Sequence, residues 1–168
     1  TRPRLRINDA FATRLDIPAV GPGAEPFLLR ATIEPDGADA GPFAPGRAQT
    51  VTRGPVYEPG LELAVSGLPT VTPLAVEAIR LEKPRGARLA ATAVRVRLPD
   101  SAAGPYLVSL ERGRRQSAPR LTYRRPDGSP ALEIGGAHLR VVAARPVLSG
   151  SAVVLDLELE EPSVEAFP

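Results

Sequence analysis

Cysteine, methionine and tryptophan are all missing from the 168-residue chain. Without Cys there is no disulfide scaffold, no thiolate metal site and no Cys nucleophile, so stability must come from packing. Histidine occurs once, as His138, which excludes a histidine-based metal cluster. Three Tyr and four Phe leave few flat platforms of the kind that sugar-binding sites use. Lysine also occurs once, as Lys83, beside 20 Arg and 19 acids, for a formal charge of +2. That near balance disfavours nucleic acid as a partner, because it builds no strong global field. The Arg bias suits bidentate ion pairs and interfaces, although GC-rich codons produce the same bias toward Ala, Arg, Gly and Pro.

No stretch approaches the ~18 apolar residues of a membrane span, and no basic segment followed by an apolar run opens the chain. The expectation is a soluble chain that either lacks a targeting signal or has been processed, in a compartment left open. Gly-rich phosphate loops, zinc spacings and a Gly-x-Ser-x-Gly elbow are also missing, so no cofactor is expected and the reading leans away from an enzyme.

What is present is enough to fold. Leu, Ile, Val and Phe total 44 residues, above the share below which a core fails, while 20 Pro and 15 Gly demand frequent turns. The first sixty residues carry Pro at 3, 18, 22, 26, 35, 42, 45, 55 and 59, which rules out continuous helix there. We read residues 1–26 as a Pro-rich arm, with alternation only over Arg4 to Asn8. The best early strand is Phe27 to Ile33, closed by the turn Pro35-Asp36-Gly37.

From Gly60 onward the hydrophobic period is 2. Leu61, Leu63 and Val65, then Val94, Val96 and Leu98, then Leu155, Leu157 and Leu159 each alternate with polar or small residues, as strands with one buried face do. Turn signals separate them: Gly67-Leu68-Pro69, Pro84-Arg85-Gly86, Pro99-Asp100 through Gly104-Pro105, Arg112-Gly113, Pro126-Asp127-Gly128, Gly135-Gly136 and Ser149-Gly150. This predicts an all-β antiparallel sandwich, or a barrel-like jelly roll, of about ten strands over residues 27–161, with a short tail at 162–168. Thr72 to Lys83 reads as helix or strand. The strand is favoured, with a bulge where the apolar phase switches from Leu74, Val76 and Ala78 to Ile79 and Leu81, and with Arg88 to Leu98 as hairpin partner.

Two charge blocks form the candidate interaction surface. Arg112, Arg114, Arg115, Arg120, Arg124 and Arg125, with Tyr123 as a stacking face, occupy a stretch without acids. Such a block suits phosphates or an acidic protein surface, and equally a solvated edge. Asp156, Glu158 and Glu160 share one strand face at roughly 6.5 to 7 Å spacing, and Glu161 follows. That spacing overlaps the carboxylate separation of inverting glycosidases, but any half-exposed acidic strand produces it. The two blocks are expected to pair, within the chain or across a subunit contact. His138 reads as a surface or rim residue, Pro42-Phe43-Ala44-Pro45 as a loop rather than an SH3-type ligand, and Phe11, Phe27, Phe43 and Phe167 as docking residues for the arm and tail.

The function expected on these grounds is a non-enzymatic structural or protein-interaction subunit of a larger assembly, of virion, surface-appendage or secretion type, with protein partners or self-association. The alternative is a small β-barrel that binds or rearranges an apolar small molecule. A third reading is a carbohydrate- or cell-surface-binding module acting through Tyr57, Tyr106 or Tyr123.

Overall fold

A computed structural model describes residues 5–7, 12–22, 27, 29–33, 49–53, 58–82, 91–148 and 150–167. The elements are β1 (Leu5–Ile7), β2 (Ala12–Ile17), β3 (Leu29–Ile33), β4 (Gln49–Arg53), β5 (Gly60–Ser66), β6 (Ala75–Val76) and β7 (Ile79–Glu82). They continue as β8 (Ala91–Pro99), α1 (Asp100–Glu111), β9 (Arg115–Arg124), β10 (Pro130–Gly135), β11 (His138–Pro146), β12 (Ala152–Glu160) and β13 (Ser163–Ala166). Strand pairing is antiparallel throughout these elements. The larger sheet runs β1-β13-β10-β9-β11-β12-β8-β6, with β5 on the other edge of β9, and the smaller runs β4-β3-β2-β7. The fold is all-β, and its sheets curl into a half-barrel.

The period-2 pattern explains which face is inside. Leu61, Leu63 and Val65 of β5, Val94, Val96 and Leu98 of β8, and Leu155, Leu157 and Leu159 of β12 are buried, while their alternating neighbours face outward. Tyr106 and Tyr123 are the largest fully buried side chains among the described residues, and the Tyr123 ring lies 5.4 Å from that of Phe27. The early residues supply core as well: Leu15 and Ile17 of β2, Val20 and Phe27 are all buried.

A crease divides the larger sheet. Residues 120–124 of β9 pair with β10, whereas residues 115–117 pair with β11, so β10 and β11 are two halves of one bent strand. The same bend carries β12, paired with β11, into β13, paired with β10. Strands that bend in this way form the corners of orthogonally packed sheets. The bend falls at Ala118-Pro119, Gly135-Gly136 and Glu161-Pro162. Among the described residues, Ala118 and Glu161 are the two non-glycine residues with left-handed backbone, at φ 49° and 47°. Gly136 is required for a different reason, since a Cβ there would sit 2.8 Å from the Glu160 carbonyl oxygen.

Two expectations change. The stretch read as a turn at Pro99-Asp100 through Gly104-Pro105 is the helix α1. Gly104 and Pro105 disfavour helix by roughly 1 and 3 kcal/mol, and Pro105 has no N–H to donate. Tertiary packing overrides this by burying Ala103, Tyr106 and Ser109 on one helix face. The Tyr106 hydroxyl donates to the Pro69 carbonyl at 3.4 Å, and burial raises its pKa to about 12. Gly113, at φ 59°, ends the helix, and the Arg114 N–H donates to the Ser109 carbonyl. The second change concerns residues 72–83, where strand is found but without a single hairpin partner. β6 pairs with β8, then the chain crosses and β7 pairs with β2 of the smaller sheet, so the phase switch marks a change of sheet. The hairpin expected around Pro126-Asp127-Gly128 is present, with Gly128 at φ 86° and Asp127 accepting from the Ser129 N–H and hydroxyl. The Pro35-Asp36-Gly37 turn, Pro42 to Pro45, Phe11, Phe43, Tyr57 and Lys83 to Ala87 lie outside the described residues.

Candidate interaction surface

Alternation puts the acids of β12 on the outer face, and antiparallel register lines arginines up beside them. Asp156 lies opposite Arg95 of β8, Glu158 opposite Arg140 of β11, and Glu160 opposite His138. The Arg95 Nε donates to Asp156 Oδ1 at 2.5 Å, and Arg145 approaches the other Asp156 oxygen at 3.3 Å. Arg140 donates to Glu158 at 3.1 Å, and Arg115 reaches across from β9 to Glu160. The hydrogen bond from Arg95 holds the Asp156 carboxyl below its ordinary range, and that from Arg115 does the same for Glu160. The guanidinium groups of Arg95 and Arg115 are raised in turn by those carboxylates. The pairs are solvent-screened, so this ladder fixes strand register more than it stabilises.

The two charge blocks therefore meet at one point, Arg115 with Glu160. The remaining arginines are placed elsewhere. Arg124 donates to Glu62 at 3.3 Å and to the Gly128 carbonyl at 3.0 Å. Arg125 donates to the carbonyls of Pro130 and Phe167, both at 2.9 Å, tying the β9–β10 hairpin to the residue after β13. Arg120 lies 3.9 Å from Glu133. Arg112 and Arg114 are exposed and have no ion-pair partner among the described residues, and Glu161 sits exposed at the crease. Tyr123 is not on this surface: it faces inward with no exposed area, because Leu121 and Tyr123 take the inner phase of β9.

His138 occupies a row the sequence does not reveal. Ser117, His138 and Glu160 are in register across β9, β11 and β12, with His138 Nδ1 3.6 Å from a Glu160 oxygen. The row lacks a hydrogen bond between Ser117 and His138, and Arg115 already holds Glu160, so it has no activated nucleophile. Beside it, at the crease, a cleft of about 570 Å³ is lined by Ser66, Thr70, Arg120, Glu133, Ser163 and Glu165, among others. Glu133 and Glu165 are direct cross-strand partners there. Among the described residues no group of three or more His, Cys, Asp or Glu is placed to hold a metal ion.

The feature that sequence reasoning missed is apolar. Leu107 and Val108 on α1, Val142 on β11 and Leu148 in the β11–β12 turn are exposed by 36%, 44%, 50% and 102%, and they are four of the five exposed large hydrophobic residues among those described. α1 packs against β11, so three of the four lie on touching elements. Reading 100–105 as a turn removed the helical geometry that would have shown this. No protein-family model, curated protein or solved structure matches the chain. No helix among the described residues is long and apolar enough to cross a membrane.

Proposed function

We propose that the protein is a non-enzymatic interaction subunit that works as part of a larger assembly, docking through the surface around α1 and β11. The observation that carries this reading is the exposure of Leu107 and Val108 side by side on the outer face of α1, with Val142 exposed on β11, the strand that α1 packs against, since adjacent apolar exposure marks a docking surface more often than scattered exposure does. The filled interior supports it further. Tyr106, Tyr123 and nine fully buried Leu and Ile side chains occupy the space in which a barrel would hold an apolar ligand. The three outward acids of β12, Asp156, Glu158 and Glu160, are each paired with an arginine of the chain, whereas Asp100 and Arg112 at the two ends of α1 have no ion-pair partner among the described residues. Native sizing of the chain in extract of its source cells tests the reading. Migration above the 17.7 kDa monomer is expected, and migration at the monomer mass alone would refute it.

A further inference from the structure

The exposed face of α1 has an order that a second copy of the same helix would match. With 3.6 residues per turn, positions four apart lie on one ridge, so Asp100, Gly104, Val108 and Arg112 follow one another along the helix. All four are exposed, while Ala103, Tyr106 and Ser109 hold the opposite face in the core. Along the ridge the chemistry reads acid, gap, apolar knob, base. Turned end for end, it reads base, knob, gap, acid.

We propose that α1 is a homodimer interface in which two copies of the helix cross antiparallel about a two-fold axis. The proposal rests on the reading of the protein as an interaction subunit and names its partner as a second copy. An isologous contact requires a surface complementary to itself, with residue i meeting j and j meeting i. Here Asp100 meets Arg112 of the other copy at both ends, and Val108 enters the space over Gly104 of the other copy twice. The fit is steric as well as electrostatic, because nothing lies within 4 Å of the position a Gly104 Cβ would take. Neither Asp100 nor Arg112 has an ion-pair partner among the described residues, in contrast to the acids of β12. Antiparallel crossing also sets the positive end of one helix dipole against the negative end of the other. Leu107 flanks the ridge and adds apolar area. A 12-residue helix is about 18 Å long, so the contact falls in the small, transient class of interfaces.

Sedimentation velocity across a concentration series tests the pairing. The wild type should show a reversible monomer–dimer equilibrium. Asp100→Arg and Arg112→Asp should each weaken it about tenfold or more, and the double swap should restore it, since the charges then pair in the opposite sense. Because the chain has no Cys of its own, a second measurement is available that does not depend on charge. A mixture of Gly104→Cys and Val108→Cys proteins should form a mixed disulfide under mild oxidation faster than either protein alone, because the cross places 104 of one copy against 108 of the other. Swaps without effect, a double swap that stays dissociated, or equal cross-linking in all three samples would overturn the proposal. A purified chain that is monomeric at every concentration, while the same chain in cell extract runs above monomer mass, would also overturn it and leave the interaction-subunit reading standing.

Discussion

Adding one methyl group at Gly136 measures how tightly the crease is closed. In Gly136→Ala the new Cβ sits 2.8 Å from the Glu160 carbonyl oxygen, against about 3.4 Å for ordinary contact, and also meets Pro119 at 3.7 Å. The obstacle is backbone, so it has no rotamer through which to escape. The same oxygen accepts the Ala137 N–H at 2.9 Å, and moving it away stretches that bond. Overpacking costs about 1 to 3 kcal/mol, and loss of a backbone hydrogen bond about 0.5 to 1.5. Restricting the unfolded chain returns about 0.4 to 1. The net loss expected is about 1 to 3 kcal/mol. Urea unfolding followed by circular dichroism should show a midpoint lowered by roughly 0.5 to 1.5 M at an m-value near 2 kcal/mol/M, with the slope unchanged. Gly150→Ala is the internal control, since nothing lies within 4 Å of its added Cβ and its φ is not positive, so it should gain rather than lose. If the two variants shift the midpoint alike, the crease is not sterically closed and the account of Gly136 is wrong.

Three further outcomes follow from the buried and paired groups. The Tyr123 hydroxyl is fully buried and has no hydrogen-bond partner among the described residues, so Tyr123→Phe should leave stability unchanged or raise it by up to about 2 kcal/mol; a loss in thermal unfolding would contradict this. The carboxyls of Asp156 and Glu160 are held below their ordinary values of 3.8 and 4.5. Their contribution is therefore complete above those values and lost as pH falls through the lower folded ones, so the urea midpoint should drop below about pH 4.5, and less so in an Asp156→Asn, Glu160→Gln double variant. Tyr106 is shifted from 10.0 to about 12 by burial, so its contribution is complete below pH 10 and lost between 10 and 12. Stability should begin to fall near pH 10 and fall less steeply in Tyr106→Phe, with the remaining loss set by Tyr123, whose buried hydroxyl is also raised, and a pH profile in that variant identical to wild type would count against the assignment.

The strands after Gly60 were legible because a half-buried antiparallel strand writes its two faces into alternate residues, as in Leu155, Leu157 and Leu159 against Asp156, Glu158 and Glu160. The hairpin at Pro126 to Gly128 was legible because Gly128 must adopt positive φ. Helix α1 was not, since Gly104 and Pro105 are local signals against helix, and what overrides them is the burial of Tyr106, a long-range fact. The double life of residues 75–82 was hidden for a related reason: a phase change looks the same whether a strand bulges or changes sheet. Of the candidate surface, opposite charge marks the Arg block and the acidic block as able to pair, but not that Arg115 and Glu160 are the residues that meet. The tie from Arg125 to the Phe167 carbonyl could not, because a backbone acceptor leaves no mark on the sequence.

The crease sets where this architecture is free to grow. Three successive chain passages turn at one level, and Gly136 leaves no room between them, so an extra residue there would have to displace both neighbours at once. The ends of the β9–β10 and β11–β12 hairpins carry no such obligation, with Gly128 and Gly150 both facing open space. Descendants of this fold should therefore differ in length at those loop tips, while the fold line itself keeps its residue count through long divergence.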